Sequence, residues 1–187
     1  MSRILCIGDS NTWGYDPRSR LGGRYPEDVR WTGRLIGRET VNDGINGRTI
    51  PPVREYPDTD RLLRGERFDA VCVMLGTNDL LQGASAEAAG AAMERYLCFL
   101  RRAAGDIPVI LIAPPPFRSG EWVTSAAQIS ESKKLAGVYR SLAEKTGVFF
   151  ADAGLWNVET AFDGVHFTPE GHAAFASGLS GTLDDIP

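Results

Sequence analysis

The sequence has no long hydrophobic run and no excess of basic residues. No stretch of about 20 apolar residues occurs, so we expect no membrane-spanning helix and no membrane partner. The first apolar run, Ile4 to Ile7, has only four residues. The apolar part of a secretion signal needs about 7–15, so we expect that this run is not one. The net charge is -4, from 20 Lys and Arg against 24 Asp and Glu, which argues against a nucleic-acid partner bound through its phosphates.

Cysteine is also scarce, and its pattern matches no metal site or disulfide framework. The three cysteines are Cys6, Cys72 and Cys98, an odd number with no paired spacing. Cys6 and Cys72 lie in apolar runs typical of strands, and Cys98 lies in a helical pattern. We therefore expect three buried free thiols in a reducing, cytoplasmic compartment.

Short apolar runs alternate with amphipathic stretches along the whole chain. This alternation is typical of an α/β protein with a mostly parallel sheet. At 187 residues, with no repeat or low-complexity linker, the chain is predicted to form one domain over residues 1–187. The predicted strands are Arg3–Ile7, a weak one at Thr40–Asn42, Ala70–Leu75, Val109–Ala113 and Val148–Ala151.

Capping residues mark most of the predicted helices. Ser85 is placed to cap a helix that continues to Ala104. Ser125 and Gln128 have the spacing of a capping box, and Gly147 follows that helix near Lys145. Further helices are predicted over Arg30–Arg38 and after the pair Thr168-Pro169.

Four polar segments follow predicted strands or stand near the last helix. They are Gly8-Asp9-Ser10, the loop from Asp43 to Thr49, the run Gly76-Thr77-Asn78-Asp79, and Asp163-Gly164-Val165-His166. Ligands of open α/β sheets bind at the carboxyl ends of the strands, where the first and third of these segments begin. Each segment taken alone is equally typical of a structural turn.

The residue types in these segments suit acyl-transfer chemistry. A serine at a sharp strand exit, such as Ser10, can present its hydroxyl group above the sheet. A neutral imidazole can remove the serine proton if a carboxylate holds its other ring nitrogen, and Asp163 precedes His166 by three residues. The motif lacks the second glycine of the α/β-hydrolase nucleophile elbow, because Thr12 stands two residues after Ser10.

Taken together, the four segments resemble the SGNH hydrolases, also called the GDSL lipase/esterase family. The family's four blocks appear in order across most of the chain, on the segments of Ser10, Gly47, Asn78 and His166. The resemblance implies a three-layer, flavodoxin-like sandwich with about five parallel strands and helices on both faces. It also implies a serine esterase that needs no cofactor and no metal, acting on a small-molecule ester.

The resemblance also implies a role for each site residue. Ser10 would be the nucleophile, with His166 as the base and Asp163 as the residue that orients it. The backbone N–H groups of Ser10 and Gly47 and the side-chain amide of Asn78 would stabilise the oxyanion. Asp9, although adjacent to the nucleophile, is expected to be structural, and Trp13 is assigned to substrate binding with core packing as the alternative.

A closer likeness joins the chain to the bacterial arylesterase branch of the family. It rests on Trp13-Gly14, the run Arg30 to Gly33, Arg48-Thr49, the run Ala113 to Pro116 and the run Asp152 to Gly154. That branch implies short acyl groups, aryl esters and acyl transfer to alcohols. The chain departs from it with asparagine at position 11 in place of leucine, with glycine at position 47 in place of alanine, and with shorter segments after Thr49 and Pro116.

Several alternatives remain at this stage. A carbohydrate O-acetylesterase or a thioesterase would use the same chemistry, and a ligand-binding α/β domain would use only the fold. A homo-oligomer is also left open. A metal-dependent hydrolase is the weakest alternative, because the common zinc spacings are missing, and it would draw on Asp9, Asp163, His166 and His172.

Overall fold

Five parallel strands form the central sheet of the protein in a computed structural model, which describes residues 2–19 and 21–186. Their order across the sheet is β2-β1-β3-β4-β5. The strands are β1 (Ser2–Gly8), β2 (Arg38–Gly44), β3 (Ala70–Met74), β4 (Val109–Ala113) and β5 (Phe149–Asp152). All four neighbouring pairs are parallel, so every carboxyl end lies at the same edge.

Six α-helices connect and cover these strands. They are α1 (Ser10–Trp13), α2 (Tyr56–Gly65), α3 (Thr77–Leu81), α4 (Ala86–Ala104), α5 (Ala126–Thr146) and α6 (Pro169–Asp184). The predicted caps are present, including the complete capping box at Ser125 and the left-handed Gly147 after α5. No helix of the described residues is long and apolar enough to cross a membrane.

Alternate residues of each strand point to opposite faces of the sheet, and each face has its own apolar core. On one face, Leu5 and Val73 lie in a cluster with side chains of α2, α4 and α5. On the other face, Ile4 and Cys72 lie in a cluster with Trp31 and side chains of α6. Helices therefore cover both sides of the sheet, and the predicted three-layer α/β architecture is confirmed.

Two details of the sequence-based prediction are wrong. The helix predicted over Arg30–Arg38 is a single 3-10 turn, Thr32–Arg34. Gly33 weakens helix formation there, and the turn ends at Leu35, whose ψ of 78° is not helical. Cys98, predicted to be buried, is exposed on α4, whereas Cys6 and Cys72 are buried free thiols, as predicted.

Candidate active site

Ser10 lies at the carboxyl edge of the sheet, where β1 passes directly into the short helix α1. Asp9 caps that helix by accepting a hydrogen bond from the backbone N–H of Asn11 at 2.9 Å. In the sheet register, Gly8 lies opposite Gly44 of β2 and Met74 of β3. The segments after all three strands therefore start side by side, which brings the predicted serine, glycine and asparagine segments to one place.

Ser10, His166 and Asp163 form a continuous chain of hydrogen bonds. Ser10 Oγ lies 2.9 Å from His166 Nε2, and His166 Nδ1 lies 2.7 Å from Asp163 Oδ2. The three residues are 6%, 1% and 1% exposed, respectively. Because solvent is almost excluded, the orientation of each side chain is set by its protein partners.

Asp163 is held as a charged acceptor by its local loop. Burial acts to raise the pKa of its carboxyl group, but the hydrogen bond from His166 and those from two backbone N–H groups outweigh burial, and the pKa is lowered. The two backbone donors are the N–H groups of Val165 and His166, each 2.9 Å from Oδ1. With both oxygens occupied, Asp163 can orient the imidazole and stabilise a positive charge on it.

Asp9 is adjacent to the nucleophile but makes no hydrogen bond with His166 in the described structure. Its Oδ1 is engaged in capping α1. Burial raises the pKa of Asp9 to about 6, although the N–H of Asn11, the hydroxyl of Thr77 and His166 act in the opposite direction. Asp9 thus stabilises the start of α1, a structural role of the kind expected from the sequence.

Two backbone N–H groups in the segments that follow β1 and β2 are candidates to bind a ligand. Among the described residues, neither the N–H of Ser10 nor that of Gly47 has a hydrogen-bond acceptor. Gly47 is the third residue of a turn closed by the Arg48 N–H donating to the Ile45 carbonyl at 3.1 Å. Its φ of 75° is one that glycine adopts readily, and the space a Cβ would occupy is open.

Asn78 brings a third donor to this turn. Its Nδ2 donates to the carbonyl of Arg48 at 3.0 Å, and in the described part of the chain its second amide hydrogen has no acceptor. The chain reaches Asn78 through Gly76, whose φ is 113° and whose Cβ position would lie 2.6 Å from the Tyr139 hydroxyl. Only glycine fits there, so Gly76 determines the direction in which the chain leaves β3.

Two aromatic rings lie against His166, and neither was identified from the sequence. The centroid of the Tyr15 ring lies 4.6 Å from that of His166, and the centroid of the Trp122 ring lies 4.7 Å from it, edge to face. Trp122 is nonetheless 49% exposed, so it presents apolar surface beside the reactive groups. The ring of Trp13, which the sequence assigned to substrate binding, is half-buried and lies under the guanidinium of Arg24, 5.0 Å away.

The second histidine belongs to the core rather than to this site. His172 is fully buried, and its Nδ1 accepts a hydrogen bond from the Trp31 N–H at 3.3 Å. Burial, together with the charges of Arg30 and Arg34, lowers the pKa of His172 to about 3, so the ring is neutral. Within residues 2–19 and 21–186, no group of three or more His, Cys, Asp or Glu side chains is arranged to hold a metal ion.

Comparison with known proteins identifies a family for the chain. Residues 6–174 match the model of the GDSL-like lipase/acylhydrolase family. A proposed arylesterase from Agrobacterium tumefaciens strain C58 is 32% identical, with a TM-score of 0.83 and full coverage of both chains. The native aryl esterase of M. smegmatis is 25% identical, with a TM-score of 0.86 and full coverage of both chains.

A further solved structure broadens the range of related activities. A carbohydrate acetylesterase family member from Sinorhizobium meliloti is 28% identical, with a TM-score of 0.84 and coverage of 98% of this chain and 97% of that one. No curated protein matches the chain in sequence. The similar structures thus carry names of two kinds of ester hydrolase.

Proposed function

We propose, from the premise that the chain belongs to the GDSL-like lipase/acylhydrolase family, that Ser10, His166 and Asp163 are its catalytic triad. The protein is a serine esterase, a hydrolase of carboxylic esters. The observation that carries the assignment is the buried chain of hydrogen bonds from Ser10 through His166 to Asp163, with distances of 2.9 and 2.7 Å.

In this proposal the ester is cleaved in two half-reactions. Ser10 Oγ bonds to the carbonyl carbon while His166 Nε2 takes the hydroxyl proton. The bond to the leaving alcohol then breaks, and His166 returns the proton to that alcohol, which leaves an acyl group on Ser10. Water or a second alcohol then gives a proton to His166 and attacks the acyl carbon, the bond to Ser10 Oγ breaks, and His166 returns the proton to the serine. Asp163 holds the Nδ1–H of His166 throughout and stabilises the imidazolium.

The oxyanion of each tetrahedral intermediate needs hydrogen-bond donors that are already in place. The N–H groups of Ser10 and Gly47 and the second amide hydrogen of Asn78 are the candidates. Two observations support them. The two backbone N–H groups have no other partner in the described structure, and the Asn78 amide uses only one of its two hydrogens there. Because these donors are fixed by turns, little reorganisation is needed when the negative charge develops.

We infer small esters with short acyl groups, aryl esters among them, as the substrates. Support comes from the apolar surface of Tyr15 and Trp122 beside His166 and from the arylesterase names of two similar structures. The same surface favours an alcohol over water as the acceptor, so acyl transfer is part of the proposal. A carbohydrate acetylesterase is the second candidate, because a sugar ring can also pack on Trp122 and a similar structure bears that name.

We also infer that residues 1–187 form one domain that works in the cytoplasm without a nucleic-acid partner. Both apolar cores share the one sheet, which supports a single domain. The net charge of -4 is unfavourable for phosphate binding. Cys6 and Cys72 face each other across neighbouring strands as free thiols, which fits a reducing compartment.

The test is the release of p-nitrophenol from acetate, butyrate and octanoate esters by the wild-type protein and by Ser10→Ala, each with and without EDTA. We expect turnover that falls with acyl length, is lost in Ser10→Ala and does not respond to EDTA. Wild-type turnover in Ser10→Ala would refute the nucleophile assignment. Loss of activity with EDTA would instead point to a metal-dependent hydrolase.

A further inference from the structure

The side chain that follows the nucleophile holds the segment that carries the base. Asn11 is 3% exposed, and its amide makes two hydrogen bonds with residues 154 and 156 positions away in the chain. Its Nδ2 donates to the carbonyl of Val165 at 3.2 Å, and its Oδ1 accepts from the backbone N–H of Phe167 at 2.9 Å. One side chain therefore binds the peptide groups on both sides of His166.

These two hydrogen bonds complete the pairing of the backbone around the base. The backbone N–H groups of Val165 and His166 donate to Asp163, and the His166 carbonyl accepts from the Ala161 N–H at 2.7 Å. What remains is the Val165 carbonyl and the Phe167 N–H, both in buried residues. Buried peptide groups require partners, and Asn11 supplies one to each.

Asn11 is itself held at a fixed position. Its backbone N–H donates to Asp9 Oδ1 at 2.9 Å, and its carbonyl accepts from the indole N–H of Trp31 at 3.1 Å. The orientation of its amide is determined, because Phe167 offers a donor and Val165 an acceptor. The turn of the nucleophile and the loop of the base are thus joined through one residue with all of its polar groups engaged.

We propose that Asn11 is a positioning residue that sets the distance between Ser10 Oγ and His166 Nε2. This inference rests on the proposed roles of those two residues. A general base must lie within about 2.6–3.2 Å of the atom whose proton it takes, and the observed 2.9 Å lies within that range. Without Asn11 the two loops lose the connection that keeps them in register, so proton transfer slows while substrate binding is little affected.

Two substitutions test the proposal. Asn11→Leu keeps the branching at Cγ and removes both hydrogen bonds. Asn11→Asp keeps the acceptor for Phe167 but places an oxygen opposite the Val165 carbonyl. We expect kcat for p-nitrophenyl acetate to fall about 10²-fold in Asn11→Leu and less in Asn11→Asp, with KM nearly unchanged. The rate at which a fluorophosphonate modifies Ser10 should fall in parallel, because it depends on the same proton transfer.

Thr59→Val is the control for a loss of stability alone. Thr59 shares a buried hydrogen bond of 3.0 Å with the Tyr96 hydroxyl and joins α2 to α4. Its removal should lower Tm and leave kcat unchanged, with every variant assayed at the same interval below its own Tm. Should Asn11→Leu fail to fold, Asn11→Asp carries the comparison.

The outcomes separate this inference from the proposed function. Wild-type kcat and wild-type modification rates in the Asn11 variants, or losses no larger than that of Thr59→Val, would overturn the positioning role. Ser10→Ala measured alongside tests the nucleophile itself. If Ser10→Ala keeps its activity, the proposed function fails; if it is inactive and only the Asn11 variants are normal, the inference alone fails.

Discussion

Replacing Asp163 by asparagine should nearly abolish activity while leaving the site intact in shape. The carboxylate accepts from His166 Nδ1 at 2.7 Å and from two backbone N–H groups at 2.9 Å each. An amide can still accept the backbone bonds through its oxygen, but it then points an N–H group at His166 Nδ1. The ring must accept that bond, so its proton moves to Nε2, and Nε2 can no longer receive the proton of Ser10.

The size of the effect follows from this change of tautomer. A substitution of this kind in a buried triad lowers kcat by about 10⁴-fold. At about 1.4 kcal/mol for each tenfold change, this corresponds to roughly 5–6 kcal/mol of transition-state stabilisation. Because Asp163 is only 1% exposed, water cannot take the place of the carboxylate.

Asp9→Asn is the matched control, since it changes the same atoms in a second buried aspartate beside the nucleophile. Its amide oxygen can still cap α1, and the substitution removes a charge that burial opposes, since burial raises the pKa of Asp9 to about 6. We expect a loss in kcat of about tenfold or less, since the hydrogen bond of the cap is kept. The assay is kcat for p-nitrophenyl acetate at pH 8. If Asp9→Asn lost as much activity as Asp163→Asn, or more, the division of roles between the two aspartates would be refuted.

Three further predictions concern the oxyanion, the aromatic rings and the buried histidine. Asn78→Ala should lower kcat about 10²–10³-fold with little change in KM, because one oxyanion donor is removed; steady-state kinetics on p-nitrophenyl acetate would contradict this if KM alone changed. Trp122→Ala should raise KM for phenyl acetate about 2–10-fold, the usual strength of an aromatic pair, and leave KM for ethyl acetate unchanged; an equal effect on both esters would argue against an aromatic contact. Burial lowers the pKa of His172 to about 3 in the folded protein, whereas the ordinary value is about 6.5. Between about pH 3 and pH 6.5 the unfolded chain therefore binds a proton at His172 that the folded chain does not. The free energy of unfolding should therefore fall as the pH drops below about 6.5. Urea denaturation at pH 7 and pH 5 should show a loss that is larger by about 2 kcal/mol in the wild type than in His172→Gln. Equal losses in both proteins would contradict the neutral, buried state of the ring.

The parts of the fold and site that were predictable from the sequence rest on local signals. The apolar runs that form β3 and β4, and the caps at Ser85 and Ser125, each depend on neighbouring residues alone. Asp163 and His166 lie three residues apart, so a short loop is enough to bring them together. The contact of His166 with Ser10 spans 156 positions, and only the resemblance of the four segments to a known family implied it.

The parts that were not predictable depend on contacts between loops. Trp122 reaches His166 because its backbone N–H donates to the Asp163 carbonyl at 3.1 Å, a bond between two irregular segments with no periodic pattern. Tyr15 lies in a similarly irregular stretch. Cys98 was assigned to the core although its neighbours Tyr96 and Leu97 already occupy the buried face of α4, and one further residue turns the side chain about 100° towards solvent.

The most direct test of the central claim is to trap the acyl group and locate it. The wild-type protein would be mixed briefly with p-nitrophenyl acetate, quenched in acid, digested and examined by mass spectrometry, beside Ser10→Ala and His166→Ala. We predict an added acetyl group on the peptide that contains Ser10 in the wild type, and none on that peptide in either variant. An acetyl group found on another residue, or turnover with no Ser10 acetylation, would contradict the account.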